Sequence, residues 1–250
     1  MKTSVPSLAA EFAELKLGDS RLRERVQSSV ARLSAAPDLG FPRALGTEKE
    51  TEGFYRLLAN PKVKYGRLVE AHAQQTIARM QEGSTVRVIH DTTEFSFSGE
   101  TASREGLGRL HGERNQGFFA HVAFAVEAER HAKPLGVVAA ICWARTAPPR
   151  IRGRNVSGGE LAKIDGKESL RWRELASEVE QRVNQRCSLL HLMDREADSY
   201  PLFCRMNELG ARFVIRMARD RVVESRHDRM PLSEALIALP KVLEREVPLS

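Results

Sequence analysis

The sequence predicts an α/β protein: an all-helical N-terminal bundle, then a mixed sheet flanked by helices. Three observations carry that expectation. Apolar residues recur at helical spacing through residues 1–83. After Gly83 the period changes to short runs rich in Val, Ile and Phe. A long amphipathic stretch from Glu168 then returns to helical spacing between two of those runs. The boundaries fall near residues 83 and 220, giving a helical unit at 1–83, a core at 84–220 and a differently composed tail at 221–250.

Within the first unit, Asp19 or Ser20 can cap a helix carrying Leu22, Val26, Val30 and Leu33 on one stripe. Its other faces carry Arg21, Arg23, Arg25 and Arg32. Residues 37–46 read as a Pro- and Gly-rich loop. Thr47 and Glu50 form a capping box for a short helix with Phe54, Leu57 and Leu58 inside. Asn60-Pro61 ends it. A third helix is expected over residues 63–82, with Val69, Ala73, Ile77 and Met80 on one face and Gly83 as its C-cap. An arginine-bearing helix of this kind can lie along a DNA backbone; a solvated basic face has the same pattern.

Residues 85–90 read as a strand whose exit is Asp91-Thr92-Thr93-Glu94, followed by a polar loop. Residues 118–128 and 135–144 read as a hairpin pair. Residues 145–166 form a loop by composition, with Arg145, Arg150, Arg152 and Arg154 as backbone-phosphate candidates or simply as solvated charge. The helix from Glu168 presents Trp172, Leu175, Val179 and Val183. The apolar run at 189–193 ends in Asp194-Arg195-Glu196-Ala197-Asp198, and a short helix at 201–209 precedes a last strand at 212–217. The order β-β-β-α-β-α-β, antiparallel first and parallel last, points to an RNase H-like sheet. In that arrangement the first and fourth strands are neighbours, so Asp91 and Asp194 emerge together at their carboxyl ends, where sites in open α/β sheets sit. Two such carboxylates suit Mg²⁺ or Mn²⁺, and paired hard cations suit phosphoryl transfer. An Asx turn at Asp91 and a helix cap at Asp194 remain the plainer alternatives.

Composition sets the outer limits. The 250 residues are 42% hydrophobic and 29% charged, which fits a globular core and excludes global disorder. Lys and Arg total 39 against 33 Asp and Glu, a net charge of +6, and this suits a polyanionic partner without requiring one. Cys142, Cys187 and Cys204 form no C-x-x-C pair, so a disulfide framework or cysteine zinc site is not expected; buried thiols in a reducing cytosol are. No secretory signal is visible, and the apolar run at 135–144 is shorter than the ~20 residues a bilayer span needs. A soluble cytoplasmic protein is expected.

Asp91-Thr92-Thr93 after one strand and Asp194-Arg195-Glu196-Ala197-Asp198 after another resemble the bacterial cut-and-paste DDE transposases of the insertion-sequence-four type, typified by the transposon-five enzyme. Leu17-Gly18-Asp19-Ser20-Arg21, Glu52-Gly53-Phe54-Tyr55-Arg56 and Asn60-Pro61-Lys62-Val63 look like that family's end-binding helical domain. Lys167-Glu168-Ser169 with Trp172, and Arg212-Phe213-Val214-Ile215-Arg216, also match family signatures, so the likeness spans residues 17–221. The resemblance implies double-stranded transposon-end DNA as partner, a homodimeric synaptic complex, two Mg²⁺ or Mn²⁺ ions, and strand cleavage, hairpin formation and strand transfer. It makes Asp91 and Asp194 the first two acidic, metal-binding catalytic residues. The third, a glutamate in a Tyr-x-x-Arg-x-x-x-Glu motif, has no counterpart here. The chain is therefore expected to be truncated inside the family's β-rich insertion, with its pairing of protomers weakened and its activity alone little or none. Localisation in the bacterial cytoplasm, at the nucleoid when bound to DNA, follows.

Arg21, Arg25 and Arg56 are the candidates for the DNA ends, while Arg195 and Glu196 adjoin the carboxylates and can orient them. His90 is expected as a packed strand residue. Two other functions stay open: a non-catalytic DNA-binding regulator of a complete transposase, and a small metal-dependent hydrolase using Asp91, Asp194 and Asp198.

Overall fold

The protein is seen as a computed structural model that describes residues 7–97, 105–110, 116–129, 132–145, 168–224 and 228–240. A 3-10 turn, Leu8–Phe12, leads into four helices: α1 (Ser20–Ala35), α2 (Phe41–Leu45), α3 (Glu48–Leu58) and α4 (Tyr65–Arg79). Asp19 caps α1 by accepting the Arg21 amide, and Thr47 caps α3 by accepting that of Glu50. Phe12, Leu15, Leu17, Val26 and Leu57 form the core of this unit, with Leu22 and Val30 packed on it. Helix α2 lies inside the segment expected to be loop. Pro42 in its first turn and Gly46 at its end, with a φ of 85°, are start and stop signals that composition alone hides. Leu58, expected inside, is 50% exposed. Helix α4 is shorter than its periodicity suggests and ends at Met80, whose extended backbone closes it. Gly83 instead forms the turn into the sheet, with its amide bonded to the Arg186 carbonyl.

The main sheet contains β1 (Thr85–Phe97), β2 (Gly108–Arg109), β3 (Gln116–Glu127), β4 (Pro134–Trp143), β5 (Ser188–Met193) and β6 (Arg212–Ile215). Its order is β2-β3-β1-β5-β6, with β4 beside β3. The β1–β3 and β3–β4 pairs are antiparallel, whereas β1–β5 and β5–β6 are parallel. The expected strand neighbours and directions are therefore present. Helix α5 (Glu168–Val183) precedes β5, and α6 (Tyr200–Glu208) connects β5 to β6 through a 3-10 turn, Arg195–Ala197. A separate hairpin, β7 (Val222–Glu224) with β8 (Arg229–Pro231), carries α7 (Leu232–Ala238).

Helices α4 and α5 cover one face of the sheet. Val86, Val88 and Leu189 from the strands meet Met80, Leu175, Val179 and Val183 there, as the α5 stripe requires. A second cluster, Trp172, Ala176, Met193, Leu202 and Met206, joins α5 to α6. On the opposite face Ile89, Phe95 and Val214 are exposed. Burial of the three thiols was expected; Cys187 is buried, but Cys142 is exposed and Cys204 lies between. Among the described residues no helix is long and apolar enough to cross a membrane.

A polar node ties the helical unit to the sheet. The buried Glu11 carboxylate accepts from Arg79 Nη1 at 2.6 Å and meets His72 Nδ1. His72 Nε2 accepts the Val137 amide at 3.0 Å, and Arg79 Nε donates to the Leu135 carbonyl at 2.7 Å. Gly136, at φ 130°, leaves room for this approach, since a Cβ there would stand 2.4 Å from Thr76 Oγ1.

Gly117 is similarly constrained: an added Cβ would sit 1.9 Å from the Phe95 carbonyl oxygen. Gly117→Ala should therefore lower stability by about 1–3 kcal/mol. Gly66→Ala, in α4 with open space around it, should stabilise by ~0.4–1 kcal/mol. Thermal or urea melts of both variants check the pair; equal effects would contradict this packing.

Candidate functional site

Parallel pairing of β1 with β5 sets the site. Thr85 faces Ser188 and Ile89 faces Leu192, so each partner lies 103 positions further on, an offset that brings Asp91 level with Asp194 just past the last pair. Side chains at equal register in neighbouring parallel strands share a face, here the one with Ile89 and Leu192, opposite α5. The expected exit at Asp91 is corrected, because β1 runs on through Phe97. Asp91 faces Val122 in the β3 ladder, and Phe95 stacks on Phe118 at 4.8 Å. Cross-strand pairing thus extends a strand through a polar D-T-T-E sequence that lacks a strand signature of its own. Asp91 and Asp194 are both exposed.

Asp194 follows β5 and caps the 3-10 turn by accepting the Glu196 amide at 2.9 Å. Arg195 and Glu196 are exposed within that turn. Asp198 has a different role. One carboxylate oxygen accepts the Ala218 amide at 2.8 Å and the Arg219 amide at 3.3 Å, and the other pairs with Arg221. Its side chain is 3% exposed, so it ties down the chain after β6 and does not face the two aspartates as a free ligand. Among the described residues no three His, Cys, Asp or Glu side chains form a group able to hold a metal ion.

Arg216 is the residue that sequence reasoning missed. Leu190 faces Arg212 and Met193 faces Ile215, and the Arg216 amide then donates to the Met193 carbonyl at 3.1 Å. Continued by one position, this register sets Arg216 level with Asp194, on the same face as Asp91. The sequence displays the arginine at the end of a strand but not its row. A cavity of about 290 Å³ opens on the other side of β1, lined by Thr92, Glu94, Phe119, Trp143, Trp172 and Glu196 among others.

Beneath the aspartates lies a buried histidine cluster. His90 Nε2 is 2.8 Å from His191 Nδ1, and His191 Nε2 is 3.0 Å from Glu180 Oε1 on α5. Thr92 Oγ1 bonds His121 Nδ1 at 2.7 Å, and the His121 ring meets Trp172 edge-on at 4.2 Å. His90 Nδ1 and His121 Nε2 are buried without a hydrogen-bond partner. Burial, and then the neighbouring His191 and His121, hold His90 well below the ordinary histidine range. Burial lowers His121 to about 4.

In the helical unit, Arg21 and Arg25 lie one turn apart on α1 and both are exposed. The Arg25 guanidinium rests over Gly53 of α3, one turn from Arg56, so the three candidate arginines gather on one side. Arg56 pairs with Glu52 at 3.2 Å in an exposed bridge. Arg32, by contrast, donates to the Leu45 carbonyl at 3.0 Å and secures α2. Arg150, Arg152 and Arg154 lie outside the described residues, as does Lys167.

Residues 6–63 match the family model described as transposase DNA-binding, a span that covers the 3-10 turn and α1 to α3. The match supports a transposase-type DNA-binding role for the helical unit. Among solved structures, the chain is similar to one described as the crystal structure of a pre-cleavage Mos1 transpososome. Identity is 11%, the TM-score is 0.24, and the overlap covers 87% of this chain and 62% of that one. A score that low does not establish a shared fold, and the chain spans less than two thirds of that protein.

Two outcomes follow from the site's geometry. Asp198→Ala should cost about 1–3 kcal/mol, because it takes the acceptor from a half-buried arginine and two amides; an unchanged melting temperature would return Asp198 to the list of free carboxylates. For His121, the folded-state value near 4 lies below the unfolded value near 6.5. The unfolded chain therefore takes up the proton first. Stability is full above about pH 6.5 and falls as pH drops toward 4, by a total on the order of 3 kcal/mol from this group. Urea melts across that window should show a shallower loss for His121→Phe than for the native chain.

Proposed function

We propose that this chain is of transposase lineage, with its helical unit holding the ends of a mobile DNA element and its sheet of the RNase H-like class. Asp91 and Asp194 are then the two carboxylates that hold divalent cations for phosphoryl transfer. The observation that carries this reading is the shared register of those aspartates on adjacent parallel strands. The transposase DNA-binding match over residues 6–63 supports its DNA-binding half, and the insertion-sequence-four type is the finer assignment favoured by the D-T-T and D-R-E-A-D strings.

The donor set fits a hard cation. Both groups are exposed carboxylates, and Mg²⁺ or Mn²⁺ needs few protein oxygens because it keeps several waters. Asp194 gives Oδ1 to the Glu196 amide and keeps Oδ2 for a ligand role. Bound there, one or two such ions supply Lewis-acid stabilisation of phosphate oxygens. The chain's own residues do the rest: Arg21, Arg25 and Arg56 grip backbone phosphates of the end DNA, and Arg216 offers a cation in the same row as the aspartates. Arg195 and Glu196 orient the turn that carries Asp194. Two copies of the chain pair two ends.

The sequence holds no Tyr-x-x-Arg-x-x-x-Glu motif. A third acidic ligand is therefore needed for the full cleavage, hairpin and strand-transfer sequence, and this chain alone carries out little or none of it. The same gap favours a second role, in which the chain occupies element ends and competes with a complete enzyme.

Duplexes selected from a random-sequence DNA pool test the DNA-binding half. Log affinity should fall with log salt by about 0.9 per neutralised phosphate, and Arg21→Ala or Arg56→Ala should flatten the slope by roughly one unit each. A flat salt dependence would remove the DNA reading and leave a small metal-dependent hydrolase. On the selected duplex, with Mn²⁺, the chain should give no strand transfer. Cleavage that disappears in Asp194→Ala would mean that another residue completes the site, and the proposed inactivity of the chain alone would be wrong.

A further inference from the structure

We propose that Glu180, His191 and His90 form a positioning clamp that sets the spacing of Asp91 and Asp194 for a shared cation, an inference that rests on the metal-binding reading above. The three residues come from α5, β5 and β1 and are joined by bonds of 3.0 Å and 2.8 Å. His90 directly precedes Asp91, and His191 stands three residues before Asp194.

The proton count gives the chain one direction. An ionised Glu180 only accepts, so His191 carries its proton on Nε2 and presents a lone pair at Nδ1. His90 then donates from Nε2 and keeps a lone pair at Nδ1, the atom that is buried without a partner. The two bonds thus assign a donating nitrogen to each ring, and each ring is held in place by the next.

Position explains what this arrangement does. The backbone pairing of β1 with β5 ends at Ile89 and Leu192. The His90–His191 bond begins there, one residue short of Asp91, and spans the two strands side chain to side chain. Trp172, packed over His121 and within 6.3 Å of His90, closes the cluster from α5. Stability alone does not account for the arrangement, because a polar cluster with two orphaned nitrogens is no better than a well-packed apolar core. A hydrogen-bonded row does what apolar packing cannot: it accepts a single register. A slip of β5 by one residue would separate the nitrogens and turn Asp194 to the other face, away from Asp91.

Mn²⁺ titrated into the full chain, followed by electron paramagnetic resonance of the free ion, tests the clamp. His191→Leu, which removes both bonds, should weaken Mn²⁺ about 10–100-fold while DNA binding by the helical unit stays unchanged. Glu180→Gln keeps an oxygen acceptor for His191 and should hold affinity within about 2-fold of the native chain. Native affinity in His191→Leu would overturn the clamp. Loss of Mn²⁺ binding in Asp91→Asn shows that the aspartate reading stands; native binding equal to that of Asp91→Asn would sink the aspartate reading itself. Should His191→Leu fail to fold, ¹⁵N spectra of the native histidines decide the matter. Protons on Nε2 of both His90 and His191 are expected at pH 7, and a proton on His191 Nδ1 would overturn the proposed direction of the chain.

Discussion

The parallel ladder between β1 and β5 is the contact on which the rest depends. These strands are far apart in sequence, and the chain between them contains the whole β3–β4 hairpin and helix α5. Ordering that much chain to form a few backbone bonds is entropically costly, so side chains must supply much of the driving force. Val86 and Val88 from β1 and Leu189 from β5 supply it by packing under the same α5 stripe. A sheet held this way has a fixed inner face, and its outer face follows automatically. Every second residue is turned away from α5, and two of those positions are Asp91 and Asp194.

Much of this architecture is legible in the sequence because its signals are local. The change of period at Gly83, the stripe through Trp172, Leu175, Val179 and Val183, and the caps at Asp19 and Thr47 all lie within a few residues of the feature they predict. Legibility fails where a distant partner decides. Asp91 reads as a loop residue, yet it lies inside β1, because Val122 and the Phe118 ring lie across from the segment it begins. Arg216 and Asp194 share a row only after the β5–β6 register is known. Glu180, His191 and His90 are three unremarkable positions until three elements converge. Helix α2 is a different case: Pro42 and Gly46 count as loop residues by composition, whereas their order, proline first and glycine last, marks a helix.

The candidate site therefore rests on two kinds of support with different tolerances. Apolar packing under α5 accepts side chains of similar volume, at a cost usually below about 1.5 kcal/mol. Polar contacts do not: the cap that Asp194 gives to Glu196 and the three bonds held by Asp198 each need a particular acceptor at a particular place. Asp194 and Asp198 share a short acidic string yet differ completely in role. What separates them is which donors surround each carboxylate.

The same division governs how the helical unit meets the sheet. Helix α4 could have rested on β4 through apolar residues alone, an interface that permits sliding. Instead His72 and Arg79, both held by Glu11, reach the backbone of Val137 and Leu135 around a glycine at φ 130°. Backbone groups cannot move without moving the strand, so these bonds hold α4 at one place on β4. Strand β4 pairs with β3, and β3 with β1, so the chain of contacts runs unbroken from the helical unit to Asp91. The exposed Arg21, Arg25 and Arg56 are thereby tied to the sheet that carries Asp91 through packed and hydrogen-bonded elements.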